Sequence, residues 1–310
     1  MIKNIVTITL NPTVDKSTTV ENLKPEKKLR CTPPKYEPGG GGINVSRGLA
    51  RLGVKSVALF TSGGRTGGLL EQLLKEENVI TSTIPTAAET RENFIVVDTS
   101  HNEQYRFGMP GEDITAAEVK DIAKIIHGLS PTPEIVVISG SLPPGIEPAF
   151  IGTLVRELKE KGAKVIADTS GEALTEVLKE GVYLLKPNLG ELSTLTGMKD
   201  LDNESADEAA KQLIDEGKAE IVVVSLGPQG AYLVSKDESI HVPAPSVKKL
   251  STVGAGDSMV AGMVAILAQG GSHKDMARMG VACGSAATMS TGTGLFTKEN
   301  AERLYKWLSR

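Results

Sequence analysis

The residues best placed to do chemistry lie near the end of the chain, at residues 251–258 (STVGAGDS). Glycines at positions 254 and 256 permit turns in which successive N–H groups converge on a phosphate. An apolar helical pattern begins at Ser258, and the free N–H groups of a helix N-terminus favour the same anion. Phosphate oxygens would repel Asp257, so we interpret it as a general base that deprotonates an attacking hydroxyl.

The same eight residues also fit an ordinary helix start. Aspartate is a preferred N-cap residue, and glycine is common just before a helix. A motif this short does not separate anion binding from capping, because chance matches are frequent. The other motifs of the chain must decide between the two interpretations.

Two segments nearer the N-terminus carry groups suited to a sugar. Residues 11–15 (NPTVD) close the first predicted strand, where the carboxylate of Asp15 either accepts hydrogen bonds from hydroxyls or lies in a solvated turn. Residues 39–44 (GGGGIN) precede a helix and offer bare backbone plus the amide of Asn44, although a flexible loop is the alternative. Their spacing fits no dinucleotide fingerprint, and the chain contains no Walker-type phosphate loop.

Three strand-end turns complete the candidate site. In residues 186–192 (KPNLGEL), Asn188 and Glu191 stand three apart, which fits either a capping box or ligands for Mg²⁺ beside nucleotide phosphates. The turn at 225–230 (SLGPQG) would suit the ribose and phosphates of the nucleotide. The turn at 139–145 (SGSLPPG) falls on the sugar side by its place in the chain.

Two segments without helical periodicity, 16–37 and 91–108, predict antiparallel strands that leave the main body and return to it. A small sheet of this kind could cover a site as a lid or pair with a second copy of the chain. Lys28, Arg30 and Arg91 belong to these segments. They are candidates for binding a substrate phosphate, with solvated surface as the alternative.

The remaining pattern predicts the elements that hold these groups. Short apolar runs typical of strands occupy residues 1–10, 56–61, 135–139, 164–168, 183–186 and 221–225. Helical patterns occupy residues 43–52, 66–76, 115–127, 148–161, 172–180, 205–216, 258–269, 274–290 and 297–309. This alternation predicts an α/β fold with a mostly parallel sheet between helices, whose ligands bind at the carboxyl ends of the strands.

Composition narrows the class of protein. The 310 residues carry a formal net charge of −4 and only 4% aromatic residues, which disfavours partners such as nucleic acid or an anionic membrane. The two cysteines, Cys31 and Cys283, have no metal-binding spacing. The N-terminus lacks a signal-peptide pattern, so we expect a cytoplasmic protein that acts on small molecules.

Residues 39–44 and 252–257 together resemble the two signatures of ribokinase-like sugar kinases, the PfkB family. The resemblance extends over essentially the whole chain. It is greatest for the branch that phosphorylates fructose 6-phosphate, in residues 28–32 (KLRCT), 36–44 (YEPGGGGIN) and 104–107 (QYRF). It implies one ribokinase-like kinase domain over residues 1–310, with 16–37 and 91–108 forming a discontinuous β lid inserted in it.

The resemblance also implies a role for each candidate residue. The migrating phosphoryl group is assigned to the base Asp257 and to an anion hole made by Gly254, Ala255 and Gly256. The furanose is assigned to Asp15, Gly40, Asn44 and Ser139. The phosphate of the sugar is assigned to Lys28, Arg30 and Arg91. Magnesium-ATP is assigned to Lys186, Asn188, Ser225, Gly227 and Gly230, with Mg²⁺ at Glu191 and Asn188.

The resulting expectation is ATP-dependent phosphorylation of fructose 6-phosphate at its 1-hydroxyl, by a homodimer joined through the lid. Sister kinases for tagatose 6-phosphate or fructose 1-phosphate typically carry a lysine where this chain has Gly41, which favours the fructose 6-phosphate branch. Those two activities stay open as alternatives. A non-catalytic sugar-phosphate sensor is a third, and the intact Asp257 with both flanking glycines argues against it.

Overall fold

The computed structural model describes residues 4–198, 201–202 and 205–310. The strands are β1 (Ile5–Thr9), β2 (Thr13–Val20), β3 (Lys35–Gly39), β4 (Val57–Ser62), β5 (Ile80–Pro85), β6 (Arg91–Asp98), β7 (Glu103–Phe107), β8 (Ile135–Ser139), β9 (Lys164–Asp168), β10 (Val182–Leu185), β11 (Ala219–Ser225), β12 (Ala231–Ser235) and β13 (Ser239–Val242). The helices are α1 (Gly41–Arg51), α2 (Gly64–Glu76), α3 (Ala116–His127), α4 (Pro148–Glu160), α5 (Gly171–Glu180), α6 (Leu189–Thr196), α7 (Ala206–Asp215), α8 (Ala255–Ala268), α9 (His273–Ala287) and α10 (Lys298–Leu308).

A sheet of nine strands forms the centre of the molecule, in the order β13-β12-β11-β10-β9-β8-β1-β4-β5. The seven strands from β11 to β5 pair in parallel, and β12 and β13 extend the sheet antiparallel at one edge. Strands β1, β8 and β9 therefore lie side by side. Their carboxyl ends bring the segments after Thr9, Ser139 and Asp168 to one edge, where ligands bind in folds of this class.

The apolar strands are buried on both faces, because helices cover both sides of the sheet. In β8, Val136 and Ile138 pack into the core on one side of the sheet, whereas Ile135 and Val137 pack into the core on the other. The sequence of β8 (IVVIS) is accordingly apolar without polar alternation, as the strand prediction required. The mostly parallel α/β architecture predicted from the sequence is confirmed.

Local sequence explains where several helices begin. Thr115 caps α3 in a reciprocal capping box with Glu118, and Pro148 occupies the first turn of α4. Ser272 and Thr297 cap α9 and α10 by accepting hydrogen bonds from the backbone N–H groups of Asp275 and Asn300.

The second sheet has four strands in the order β3-β2-β6-β7 and contains both segments predicted to leave the main body. Its two hairpin-like pairs, β2 with β3 and β6 with β7, are antiparallel as predicted. The prediction was wrong for the central pair, because β2 and β6 run parallel from Thr13 opposite Arg91 to Val20 opposite Asp98. Residues 21–34 form no strand apart from a bridge between Val20 and Cys31.

The predicted boundaries are wrong by a few residues at several places. The largest consequence concerns α8, which begins at Ala255 and not at Ser258, so that Gly256 and Asp257 lie inside its first turn. Strands β5, β12 and β13 were not predicted. The first predicted strand begins at Ile5, and its residues 1–3 lie outside the described part of the chain. Across the residues that the structure describes, no helix is long and apolar enough to cross a membrane.

Candidate active site

Two helix N-termini without side-chain caps meet at the carboxyl edge of the large sheet. Gly40 precedes α1 and Gly254 precedes α8, and neither glycine has a side chain that could cap its helix. In α1, however, Oγ1 of Thr9 accepts a hydrogen bond from the first-turn N–H of Ile43 at 2.9 Å. The left-handed conformation of Gly254, with φ 72°, favours glycine at this position. The helices also approach closely, since a Cβ on Gly48 would lie 2.6 Å from Cβ of Ala261. The first turn of α8 is thus left open to an anion, whereas that of α1 is partly satisfied by Thr9.

A hydrogen bond between side chains joins these two first turns. Nδ2 of Asn44, in α1, donates to Oδ2 of Asp257, in α8, at 2.9 Å. Burial and the nearby carboxylate of Asp168 raise the pKa of Asp257 to about 6, although the bond from Asn44 and the charge of Lys186 oppose the rise. A carboxyl group with this pKa is ionised near neutral pH and is basic enough to take a proton from a hydroxyl.

A buried ion pair lies beside that carboxylate. Nζ of Lys186, which follows β10, is 3.1 Å from Oδ1 of Asp168 at the end of β9. Burial alone would lower the pKa of Lys186, but Asp168 and then Asp257 raise it overall, so the side chain stays charged. A Cβ on Gly256 would lie 3.4 Å from Nζ of Lys186, which places this cation against the first turn of α8.

Asp15 lies on β2 of the second sheet, where it is 6% exposed. Its Oδ1 accepts a hydrogen bond from Nδ2 of Asn93 on β6 at 3.0 Å. Burial raises its pKa, although the bond from Asn93 and the charge of Arg91 oppose the rise. Its Oδ2 faces the glycine run, because a Cβ on Gly39 would lie 2.8 Å from that oxygen. The predicted sugar ligand is therefore next to the predicted sugar-binding loop.

The glycine run packs tightly on the ends of β1 and β8. A Cβ on Gly41 would lie 2.1 Å from Oγ of Ser139 and 2.8 Å from the backbone nitrogen of Gly140. A Cβ on Gly40 would lie 2.8 Å from Cγ2 of Thr9. Only a residue without a side chain fits at position 41 unless the end of β8 moves. Ser139 thus contacts Gly41, the residue that follows Gly40 in the chain.

Arg91 begins β6 at the junction of the two sheets. Its guanidinium donates to the backbone oxygen of Asn11 through Nε at 3.3 Å and Nη2 at 3.0 Å, and to that of Met109 through Nη1 at 2.6 Å. These bonds occupy three of its five N–H donors. The side chain is half-buried, and its two remaining donors are the ones that could contact a ligand.

The other basic candidates lie apart from this cluster. Lys28 and Arg30 are exposed in the segment between β2 and β3, and neither makes a hydrogen bond or an ion pair with another described residue. The fold of a single chain does not bring them to Asp257 through any contact.

The start of α6 forms the capping alternative that the sequence left open. Oδ1 of Asn188 accepts from the N–H of Glu191, and Oε2 of Glu191 accepts from the N–H of Asn188, each at 2.9 Å. The backbone of Ser225 donates to the carbonyl of Pro187, which brings the turn after β11 beside α6. In that turn Gly227 and Gly230 adopt positive φ values of 58° and 97°. The predicted nucleotide residues thus adjoin one another.

No cluster of three His, Cys, Asp or Glu side chains is arranged to hold a metal ion within residues 4–198, 201–202 and 205–310. Mg²⁺ in kinases is commonly held by one or two carboxylates together with substrate phosphates. The capping box uses Oε2 of Glu191 and leaves its other carboxylate oxygen outside the box. These residues therefore fit a Mg²⁺ ion that is bound mainly by the nucleotide.

The sequence analysis missed three residues of this site. Asp168 ends a predicted strand, the same signal that singled out Asp15, and could have been found by it. Asn93 lies on β6 opposite Asp15, and only the parallel register of β2 and β6 reveals their contact. Arg47 bonds to Asn44 within α1, and its helical position alone resembles a solvated arginine.

Comparison with known proteins gives consistent matches over the whole chain. A family model described as pfkB family carbohydrate kinase matches residues 3–300. The chain is 44% identical over 307 residues to the ATP-dependent 6-phosphofructokinase isozyme 2 of Escherichia coli (strain K12), and the match covers 99% of each protein. It is 34% identical over 300 residues to the 1-phosphofructokinase of Bacillus subtilis (strain 168), and the match covers 97% of each.

A solved structure matches in three dimensions as well. The crystal structure of phosphofructokinase-2 from Escherichia coli in complex with fructose-6-phosphate has a TM-score of 0.94 to this chain, at 42% sequence identity. The match covers 99% of this chain and 100% of that one.

Proposed function

The chain belongs to the pfkB family of carbohydrate kinases, and we propose that it transfers the γ-phosphoryl group of ATP to the 1-hydroxyl of fructose 6-phosphate. The products are fructose 1,6-bisphosphate and ADP. Membership of the family confirms the resemblance seen in the two glycine-rich motifs, and the predicted ribokinase-like fold is confirmed with it. The identity of 44% with a 6-phosphofructokinase, against 34% with a 1-phosphofructokinase, supports the choice of sugar.

The hydrogen bond between Asn44 and Asp257 is the observation that carries the proposal. It holds a carboxylate with a pKa of about 6 in the uncapped first turn of α8, beside the start of α1. As the sugar oxygen bonds to the γ-phosphorus, its proton passes to Asp257. The bond from that phosphorus to the bridging oxygen then breaks, and the electron pair leaves with ADP.

The free N–H groups at the start of α8 would bind the oxygens of the migrating phosphoryl group. Gly254, Ala255 and Gly256 form this part of the chain, and the charged Lys186 lies against it. The N–H of Ala255 donates to the carbonyl of Thr252 at 3.4 Å, so it would have to leave that long bond to contact the phosphoryl group. Charge on those oxygens is thus stabilised by preorganised dipoles and by one cation. Most of the rate enhancement would come from this positioning, because phosphoryl transfer requires little covalent help from protein.

The sugar would lie between the glycine run and the second sheet. Asp15 would accept hydrogen bonds from its hydroxyls, and Gly40, Asn44 and Ser139 would line the opposite side. The free donors of Arg91 would bind the 6-phosphate. The close approach of Gly41 to Ser139 supports fructose 6-phosphate over the sister substrates, since the lysine typical of those kinases would displace the end of β8.

The nucleotide would bind beside α6 and the turn after β11. Lys186 would contact its phosphates, while Asn188, Ser225, Gly227 and Gly230 would line its binding surface. The free oxygen of Glu191, with Asn188 beside it, would hold the Mg²⁺ that accompanies ATP. That ion supplies neutralising charge between the phosphates.

The second sheet would also join two copies of the chain. Its two edge strands expose aromatic side chains: Tyr36 on β3 is 37% accessible, and Tyr105 and Phe107 on β7 are 37% and 47% accessible. Exposed aromatic side chains beside an unpaired strand edge favour association with a second copy. Lys28 and Arg30 would then face the neighbouring chain and could reach a phosphate bound there. Because the reaction uses ATP and a sugar phosphate, we also propose that the protein is cytoplasmic.

Release of ADP, measured with a coupled assay, tests the function directly. The panel is fructose 6-phosphate, tagatose 6-phosphate, fructose 1-phosphate and free fructose, each with ATP and Mg²⁺. We expect the highest kcat/KM for fructose 6-phosphate. A higher value for either sister substrate would assign the chain to that kinase, and binding without ADP release would make it a sensor.

A further inference from the structure

Arg47 is the largest fully buried side chain of the described residues, at 1% exposed, and the proposed reaction does not use it. Its Nη1 donates to the backbone oxygen of Pro38 at 2.8 Å and to Oδ1 of Asn44 at 3.0 Å. Its Nε and Nη2 donate to the two carboxylate oxygens of Glu77 at 2.9 and 2.6 Å. A buried arginine is stable only when its donors are paired in this way. The residues around Arg47 supply those acceptors.

These bonds decide which way the amide of Asn44 points. Arginine has donors and no acceptor, so it can face only the oxygen of the amide. The NH₂ group is then directed at Oδ2 of Asp257, to which it donates at 2.9 Å. A flipped amide would set NH₂ against the guanidinium and the amide oxygen against the carboxylate. Both of those contacts are repulsive, so Arg47 fixes one orientation.

We propose that Arg47 is a positioning residue for the kinase reaction, which locks the amide of Asn44 in the orientation that donates to Asp257. The inference rests on the proposed function, in which Asp257 is the base. Glu77, just after α2, holds the guanidinium from the other side and is itself about 29% exposed. The bond to Pro38 also ties the end of β3 to α1 immediately before the glycine run.

Loss of this lock has a specific chemical consequence for Asp257. Burial, Asp168 and Asp15 disfavour its ionised form, while the bond from Asn44 and the charge of Lys186 favour it. Without the bond from Asn44 the carboxyl group would hold its proton to higher pH and would turn more freely. Turnover would fall, and the acidic limb of the pH profile would move upward.

The test compares Arg47→Met with Arg47→Lys and with a matched control, Arg51→Gln. Arg51 lies one turn further along α1 and also contacts Glu77, at 3.5 Å, but it bonds to Phe296 and not to Asn44. For Arg47→Met we expect kcat to fall by roughly 10- to 100-fold, with the acidic limb of kcat/KM about one pH unit higher. Both KM values should change less than about threefold.

The other two variants bracket this result. Arg47→Lys retains a donor in the same place, so we expect about half of the loss to be recovered on a logarithmic scale. Arg51→Gln should leave kcat within about twofold and the pH profile unchanged. A folded Arg47→Met protein with wild-type kcat and an unshifted limb would overturn the inference, and so would an Arg51→Gln protein with the same losses.

Folding is checked first by circular dichroism and thermal melting. If Arg47→Met does not fold, Glu77→Gln takes its place, because it weakens the hold on Arg47 at a partly exposed site. The expected loss in kcat is then about two- to fivefold with the limb displaced in the same direction. An unshifted limb in the folded Glu77→Gln protein would also overturn the inference.

Failure of the proposed reaction can be told apart from failure of this inference. If the wild-type protein phosphorylates none of the four sugars, the reaction is wrong. The lock is then read from the titration of ¹³C-labelled aspartate by NMR, with the Asp257 signal identified by its loss in Asp257→Asn. An Asp257 pKa that is higher in Arg47→Lys than in wild type supports the lock, and an equal pKa overturns it.

Discussion

The first turns of α6 and α8 both lie at the carboxyl edge of the large sheet, but the N–H groups of α6 are capped by side chains and those of α8 are not. At α6, Asn188 and Glu191 each accept from the other's N–H, so the helix start is satisfied by its own side chains. At α8, Gly254 offers no side chain, and the carboxylate of Asp257 bonds instead to Asn44 of another helix. A helix start without a cap is free to bind an anion, whereas a capped one is stabilised at the expense of that capacity.

The helix α9 sharpens this contrast, because it carries an aspartate at the same position of its first turn as α8. Asp275 is bonded to the N-cap Ser272, and this bond lowers its pKa. Burial raises the pKa of Asp257 in the equivalent position. Identical residues at equivalent positions thus have opposite pKa shifts, which supports a structural role for Asp275 and the proposed role of base for Asp257.

The largest expected effect comes from removing the basic carboxylate at α8. Asp257→Asn keeps the size of the side chain but cannot accept the proton from the sugar, so we expect kcat to fall by ~10²–10⁴-fold. Steady-state ADP release measures the loss. The matched control is Asp275→Asn, which should retain wild-type kcat. Near-normal turnover in Asp257→Asn would show that Asp257 is no more important for the reaction than Asp275.

The same pair of variants should change stability in opposite directions. The folded state raises the pKa of Asp257 from 3.8 to about 6, so its ionisation costs stability increasingly as the pH rises from 3.8, and the full cost is reached above about pH 6. We expect Asp257→Asn to raise the free energy of unfolding at pH 7 by about 1–3 kcal/mol, and the gain should vanish below about pH 4. Urea denaturation across this pH range measures it.

For Asp275 the sign is reversed, because its folded-state pKa is lowered. Its stabilising contribution is present above the unfolded pKa and is lost as the pH falls through the folded value. Asp275→Asn should therefore destabilise the protein at pH 7 and have no such effect in strong acid. Equal signs for the two variants at pH 7 would contradict the electrostatic account.

The next prediction tests whether Glu191 at the start of α6 binds Mg²⁺ in addition to capping the helix. Glutamine can maintain the capping box but lacks the charge that attracts Mg²⁺. Glu191→Gln should leave the melting temperature nearly unchanged and raise the Mg²⁺ concentration for half-maximal activity by roughly tenfold. A titration of activity with Mg²⁺ at fixed ATP measures this shift. An unchanged requirement would leave Glu191 as a capping residue alone.

The smallest effect concerns the cap itself. Asn188→Ala removes the acceptor for the N–H of Glu191, so we expect a loss of about 1 kcal/mol in the free energy of unfolding. Asn188→Ser retains a capping side chain and is the control, with most of that stability kept. A melting experiment on both variants checks the cap. Equal destabilisation by serine and alanine would show that capping is not what Asn188 contributes.

Sequence alone predicted the parts of this molecule that depend on local pattern. Apolar runs identified β1 and β8, and the edge rule for parallel sheets placed the segments that follow them, 11–15 and 139–145, at one edge. The prediction that Asp15 lies in a turn is wrong, because β2 of the second sheet begins at Thr13 and contains Asp15. The start of α8 was placed three residues late, because Ala255 and Gly256 add nothing to an apolar period that begins at Ser258. The anion-binding and base roles predicted for this segment from its glycine and aspartate spacing stay predictions.

What the sequence did not reveal depends on distant residues meeting. The parallel pairing of β2 with β6 joins positions nearly eighty residues apart, so no local signal fixes its direction or register. The burial of Arg47 depends on Glu77 from another helix, and an arginine in an amphipathic helix ordinarily lies in solvent. The capping box at α6 could not be distinguished from a pair of metal ligands by sequence, since both use the same two residues, and the coordinates show that the cap forms.

The split origin of the second sheet limits how this enzyme can be recombined. Its strands β2 and β6 are separated in the chain by α1 and α2, so no continuous peptide contains the sheet alone. A segment exchanged between relatives that carries both halves, residues 13–107, must also carry Asn44, Arg47 and Glu77. If Asp15 binds the sugar as proposed, a segment that transfers a new sugar specificity would therefore also transfer the three residues that hold the proposed base, Asp257. In chimaeras whose junctions fall inside α1 or α2, Asp15 and some of these supporting residues would come from different relatives. Such chimaeras should have a lower kcat.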